Sequence, residues 1–155
     1  MWQQTTGWLF VVSLVVVAPQ LVATVSPQPS PQSSMVSSDP EVLDLGRRLF
    51  EQICSPCHGK NAVGENPATP MGGWKDGVGQ LAPALNGRGH AWHHPPSYHL
   101  QIIRKGSTLQ GSRMIGWDTR LSDFDIIAVI AYFQSLWPPH LKAAYQRQYL
   151  YRVGE

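Results

Sequence analysis

"ICSPCHGK", residues 53–60, contains the only two cysteines of the chain, Cys54 and Cys57, with His58 directly behind the second. Four chemistries use such a cluster: a disulfide staple, thiol redox, a bound metal ion and a thioether-bound porphyrin. A disulfide across two intervening residues closes too small a loop to stabilise much. A thioredoxin-type site expects strands alternating with helices around the cysteines, and no strand alternation stands out in this sequence. Zinc needs four ligands; there is no second cysteine pair, although a histidine-rich loop further along offers completion. In the fourth case, C-x-x-C-H at the end of a helix sets two thiols against the two vinyl groups of one haem edge. The adjacent histidine is then forced under the iron. The motif is short, but it lies behind an apolar leader in a loop-rich chain that needs a folding nucleus. That placement favours covalent haem, with zinc and thiol chemistry as the alternatives.

The composition supports a small, loop-rich domain. The chain has 155 residues, with 14 Gly, 13 Pro and 14% charged residues, so much of it lies in turns. A domain of this kind buries little surface and usually needs a metal, disulfide or cofactor to be stable. A formal net charge of +2, with scattered basic residues, does not fit a nucleic-acid binder. No Gly-rich phosphate loop and no G-x-S-x-G turn is present.

Residues 1–25 read as a signal peptide or an N-terminal membrane anchor. The apolar run "WLFVVSLVVVAPQLVATV" (8–25) has a small-residue cleavage site after Ala23, but no Lys or Arg precedes it. Its length is near the minimum for a membrane span, and Pro19 would strain such a helix. Residues 26–39, rich in Pro and Ser, form a linker. If the leader stays in the membrane, this linker tethers the domain within reach of its partners.

The domain spans 40–137. Asp39 is a good N-cap with Pro40 behind it, and Val42, Leu45, Leu49, Phe50 and Ile53 fall at helical spacing, predicting an amphipathic helix over 40–53. Residues 59–96 read as Gly- and Pro-rich loop. A short helix covers 97–105 and is stopped by Gly106. In "LSDFDIIAVIAYFQSLWPP", Ser122 is the expected N-cap and Asp123 and Asp125 fall in the first turn. Ile126, Val129, Ile130 and Phe133 make the apolar stripe, and Pro138 and Pro139 end the helix. The extension, 138–155, predicts a short helix lying back on the domain through Leu141, Ala144, Tyr145 and Tyr149. The fold class is all-α, three to five helices with long loops.

Beyond C-x-x-C-H, "GRRLFEQICSPCHG" carries Gly46, Phe50, Cys54, Cys57 and His58 in the spacing Gly-x3-Phe-x3-Cys-x2-Cys-His. Over about residues 40–137 the sequence resembles the class I c-type cytochromes. The resemblance implies a cytochrome c-like fold wrapped around one covalently bound haem c, with thioethers to Cys54 and Cys57 and His58 as an axial iron ligand. It also implies that Gly46 lets the first helix cross closely over Tyr132 of the last domain helix. The loop "LAPALNG" resembles the one whose proline carbonyl receives a hydrogen bond from the proximal histidine, a role that falls to Pro83. Such a bond fixes the ring and strengthens the ligand.

The resemblance places the sixth ligand in the loop before the last domain helix, where "GSRMIGW" offers Met114; Ile115 stands where the family usually has proline. Met71 is the other methionine within the domain. In "GHAWHHPPSYH", His90, His93, His94 and His99 lie within ten positions. Here Trp92 and His93 are candidates for contact with the haem edge or propionates, and His94 for capping the following helix. The sharper alternatives are a copper or zinc site and a histidine replacing Met114 on iron.

The expected function is that of a monohaem electron carrier, not an enzyme, serving redox partner proteins or a membrane complex. It would sit in the periplasm or on the outer face of the cytoplasmic membrane, attached through residues 8–25 if these are not cleaved. The alternatives are a haem subunit of a larger dehydrogenase or oxidase complex, and a haem-based sensor. Lys60, Lys75, Arg104, Lys105 and Arg113 are candidates for a cationic ring facing an acidic partner.

Overall fold

The computed structural model describes residues 38–149. The leader, most of the linker and the end of the C-terminal extension lie outside the described residues. The elements are α1 (Pro40–Leu49), α2 (Ser55–His58), α3 (Pro96–Lys105), α4 (Asp123–Ser135) and α5 (Pro139–Tyr149), with a ribbon of β1 (Gly73–Lys75) and β2 (Gly79–Leu81). Four of these helices are long enough to build an all-α domain.

α1 starts where the Asp39 carboxylate accepts the Glu41 amide at 2.9 Å. Its exposed face is tied by Arg47 and Arg48 to Asp44, and by Arg47 to Glu51. The helical path does not run evenly to residue 53 as expected. Phe50–Cys54 widens into a π-helical turn, in which the Ser55 amide donates to the Phe50 carbonyl. Pro56 explains the widening: it has no N–H for the carbonyl four residues back, and its ring would crowd that carbonyl. The detour places Cys54 at the junction and leads into α2, which carries Cys57 and His58.

α4 begins with a capping box in which Ser122 and Asp125 satisfy each other's backbone amides. It is more deeply placed than a one-sided stripe would require. Every residue from Ile126 to Gln134 is buried, as for a helix surrounded by its neighbours. α1 crosses it at Gly46, where an added Cβ would lie 1.9 Å from the Ala128 carbonyl oxygen and 2.9 Å from Cβ of Tyr132. The Phe50 and Tyr132 rings meet just beyond this crossing, 5.4 Å apart. The core is built from Phe50, Ile103, Ile126, Val129, Ile130, Phe133 and Trp137.

α3 ends at Gly106, whose φ of +79° is a left-handed conformation that side chains disfavour. His94 does not cap α3. Pro95 occupies the N-cap and Pro96 the first turn, so fewer amides there need a partner; the His94 ring stacks on Tyr98 instead, at 4.2 Å. The β1–β2 ribbon pairs Trp74 with Gln80 inside the stretch expected to be loop. Its strands are too short for alternation to show. α4 stops at Ser135, ahead of the prolines, and Pro139 opens α5. α5 buries Tyr145 against Trp137, with ring centroids 5.0 Å apart.

Candidate functional site

A cavity of about 580 Å³ opens between the α1–α2 segment, α3, α4 and the loop before α4. Cys54, Cys57, His58, Pro83 and Met114 all line it. Its remaining walls are largely apolar, with Leu81, Leu85, Ile102, Ile103, Val129 and Phe133 among them.

His58 reaches this position because two loops are laced together beneath it. The Glu65 amide donates to the Ala82 carbonyl at 3.0 Å, and the Leu85 amide to the Ala62 carbonyl at 2.8 Å. This brings the Pro83 carbonyl to 2.8 Å from His58 Nδ1. A carbonyl can only accept, so Nδ1 carries the proton and the neutral ring has its lone pair on Nε2. Burial lowers the His58 pKa, outweighing the Pro83 bond and the Glu65 charge that raise it. The imidazole is thus neutral, oriented and basic at one known nitrogen, which is what a metal ligand requires.

Cys54 and Cys57 are free thiols, Cys54 partly buried and Cys57 exposed. Burial, with the neighbouring Cys57, pushes the Cys54 thiol up to about 12. A thiol held that high is a poor thiolate, so Cys54 is not an activated nucleophile.

Met114 is half-buried against the core. Its loop is fastened by the Ser107 amide donating to the Met114 carbonyl at 2.9 Å. At Gly106 an added Cβ would lie 2.7 Å from that carbonyl oxygen. Met71 also lines the cavity but is 58% exposed, at its mouth. An apolar cavity bordered by paired thiols, an oriented imidazole and a thioether fits a haem c.

The histidine-rich segment is arranged differently from the sequence expectation. Trp92 and His93 stack on each other at 3.6 Å, and neither lines the cavity. The Trp92 indole donates to the Gly89 carbonyl at 3.1 Å. The 3₁₀ turn Ala91–His93 buries Ala91 and leaves His93 exposed. His90, His94 and His99 line the cavity in their place. For His99 a signal was present, since it lies four residues before the core residue Ile103 on one helix face. Among the described residues no three His, Cys, Asp or Glu side chains form a metal-ion site. Three of the five candidate surface cations have acidic partners: Arg104 with Asp123, Lys105 with Asp118, and Arg113 with Glu65.

A helical domain with a C-x-x-C-H helix end and a thioether facing one apolar cavity defines a protein of cytochrome type. The family described as cytochrome c oxidase, cbb3-type, subunit III matches residues 41–133, and the chain belongs to that family. None of the curated proteins matches the chain. Membership of an oxidase-subunit family agrees with a non-catalytic, electron-carrying subunit. It favours the haem-bearing subunit of a larger complex over a free carrier. Among the described residues no helix is long and apolar enough to cross a membrane.

Proposed function

We propose that this domain holds one haem c through thioethers from Cys54 and Cys57, with His58 and Met114 as its axial ligands. In this reading it passes single electrons as a subunit of a membrane oxidase complex. The observation that carries the proposal is the convergence of Cys54, Cys57, His58 and Met114 on one apolar cavity, with His58 Nδ1 bonded to Pro83. The haem supplies a one-electron centre. The chain orients the imidazole through Pro83, offers a soft thioether that favours the reduced iron, and excludes water with aliphatic walls.

The mouth of the cavity suits exchange with a partner. Met71, Leu109 and Ile115 line it, yet each is more than half exposed. A dry rim of this kind brings a second redox centre close without a layer of water. The oxidase family adds the complex, and the leader and linker add the means of attachment. If residues 8–25 are not cleaved as a signal peptide, they hold the chain at the outer face of the membrane and 26–39 tether it; 40–137 form the cytochrome domain and 138–155 extend it.

The test is purification of the tagged full-length chain from its own membranes in mild detergent. The expected result is a haem-stained band at the mass of this chain, co-eluting with oxygen uptake on reduced cytochrome c. A haem-bearing chain recovered alone from the soluble fraction would identify a free carrier instead.

A further inference from the structure

The loop that carries Met114 is fastened on two sides, and the fastenings differ in kind. Toward α3 it is held by backbone groups, with Gly106 bridged to Ile115 and the Ser107 amide donating to the Met114 carbonyl. On the other side it meets the β1–β2 ribbon. The Gln80 amide donates to the Gly111 carbonyl at 2.9 Å. At Gly79 an added Cβ would lie 2.5 Å from that same carbonyl oxygen, and at Gly111 one would lie 2.3 Å from the Trp74 ring. Both glycines have left-handed φ, +97° for Gly79 and +74° for Gly111, which side chains disfavour. The ribbon is thus built to lie directly on this loop.

One side-chain pair joins that assembly to the other axial ligand. Glu65 Oε2 accepts the Ala82 amide at 3.1 Å, and the Glu65 amide donates to the Ala82 carbonyl at 3.0 Å. Ala82 precedes Pro83, whose carbonyl orients His58. The same Oε2 also accepts from the Arg113 guanidinium, and Arg113 adjoins Met114. Nη2 of Arg113 lies 3.4 Å from the Gln80 carbonyl of the ribbon as well. A single carboxylate oxygen therefore ties the segment that aims His58 to the segment that carries Met114. Isolated surface ion pairs contribute little. This pair differs because the Glu65 side chain is only 28% exposed. Its carboxylate is also already fixed by a backbone amide, so it loses little freedom when Arg113 binds.

We propose that Glu65 and Arg113 are positioning residues for the axial ligands, their bond holding the Met114 thioether at the haem iron against displacement by an outside ligand. This rests on the haem reading above. A thioether carries no charge and is a weak donor, so its place depends on how firmly the chain presents it. Displacing Met114 requires its loop to move off the cavity, and that movement draws Arg113 away from Glu65. The pair stabilises the closed arrangement and adds nothing to the open one, so cutting it shifts the balance toward displacement.

Titration of the oxidised holoprotein with imidazole, followed by loss of the far-red sulfur-to-iron band, tests this. Glu65→Gln keeps an oxygen for the Ala82 amide but loses the charge, and Arg113→Gln removes the guanidinium. Each variant is expected to bind imidazole about fivefold more tightly than wild type. The double variant should match either single one, because both changes cut the same bond. Arg113→Lys, which keeps the charge, should restore part of the difference. Arg47→Gln cuts an ion-pair group on α1 that reaches neither ligand, and should leave the affinity at its wild-type value.

Single variants that bind imidazole as weakly as wild type overturn the inference, even where their thermal midpoints fall. So does a double variant whose gain is the product of the two single gains, or an equal gain in Arg47→Gln. A haem-loaded wild type without the far-red band would instead sink the parent assignment of Met114 to the iron, so the two failures are distinguishable.

Discussion

At Gly46 the Ala128 carbonyl oxygen would be only 1.9 Å from an added methyl group, and that oxygen belongs to the backbone of the most buried helix. Neither partner can yield cheaply. Gly46→Ala is expected to lower stability by about 3 kcal/mol, the upper end for overpacking, read as a fall in the thermal midpoint of the holoprotein. Met114 offers a cleaner functional probe because its loop is fastened through backbone groups that the side chain does not share. In Met114→Ala the reduced protein is expected to bind carbon monoxide rapidly and to lose the weak far-red band of sulfur-to-ferric-iron ligation. The wild type should be unreactive, and a wild type that binds carbon monoxide as fast as the variant would remove Met114 from the iron. His99 adds a pH dependence of stability. Its pKa is about 4 in the fold against 6.5 for the free side chain. The unfolded chain therefore takes up a proton between these values while the folded chain does not, and stability falls as pH drops through that range. Chemical denaturation of wild type and His99→Gln at pH 7 and pH 5 should show wild type losing on the order of 2 kcal/mol more than the variant. Equal losses would mean that His99 is not held neutral.

Among the elements, α5 lies outside the family match yet is joined to the cavity wall. Tyr145 is 2% exposed under Trp137, the Trp137 indole donates to the Leu85 carbonyl at 2.7 Å, and the Tyr149 hydroxyl donates to the His93 carbonyl at 2.5 Å. The turn between α4 and α5, through Trp137, and α5, through Tyr149, thus hold the 85–93 segment that brings His90 to the cavity. Tyr145→Ala is expected to cost about 3 kcal/mol by equilibrium unfolding, and Tyr149→Phe about 1 kcal/mol. Losses near zero for both would show α5 to be an appendage. The helices were legible because their signals are local: Ser122 with Asp125 announces the start of α4, and Asp39 with Pro40 that of α1. The π-helical turn was not, since it answers the fit of Pro56 against the preceding turn rather than a periodicity. Nor was the β1–β2 ribbon, whose strands hold too few residues to alternate. The histidine cluster could be flagged from composition, but which rings face inward depends on the 3₁₀ turn at Ala91–His93. Sequence reading therefore chose Trp92 and His93, where the fold turns in His90, His94 and His99.

Across the whole molecule, the architecture follows from a core that closes around a cavity instead of filling it. Phe133 and Val129 belong to the buried interior and also line the space beside His58 and Met114. Such a chain should fold fully only when the space is filled, since an apolar void forfeits packing on every wall. The cations expected to ring the cavity are partly neutralised by Asp118, Asp123 and Glu65, which leaves the apolar mouth as the main feature offered to a partner. A haem held by thioethers to Cys54 and Cys57 would stay with the polypeptide on denaturation. Intact-mass spectrometry of the denatured protein, produced together with haem-attachment machinery, therefore decides whether that bond exists. The predicted result is the polypeptide mass plus one haem, reverting to bare polypeptide when Cys54 and Cys57 are both replaced by serine. A wild-type protein that runs at the bare polypeptide mass would show that Cys54 and Cys57 carry no haem.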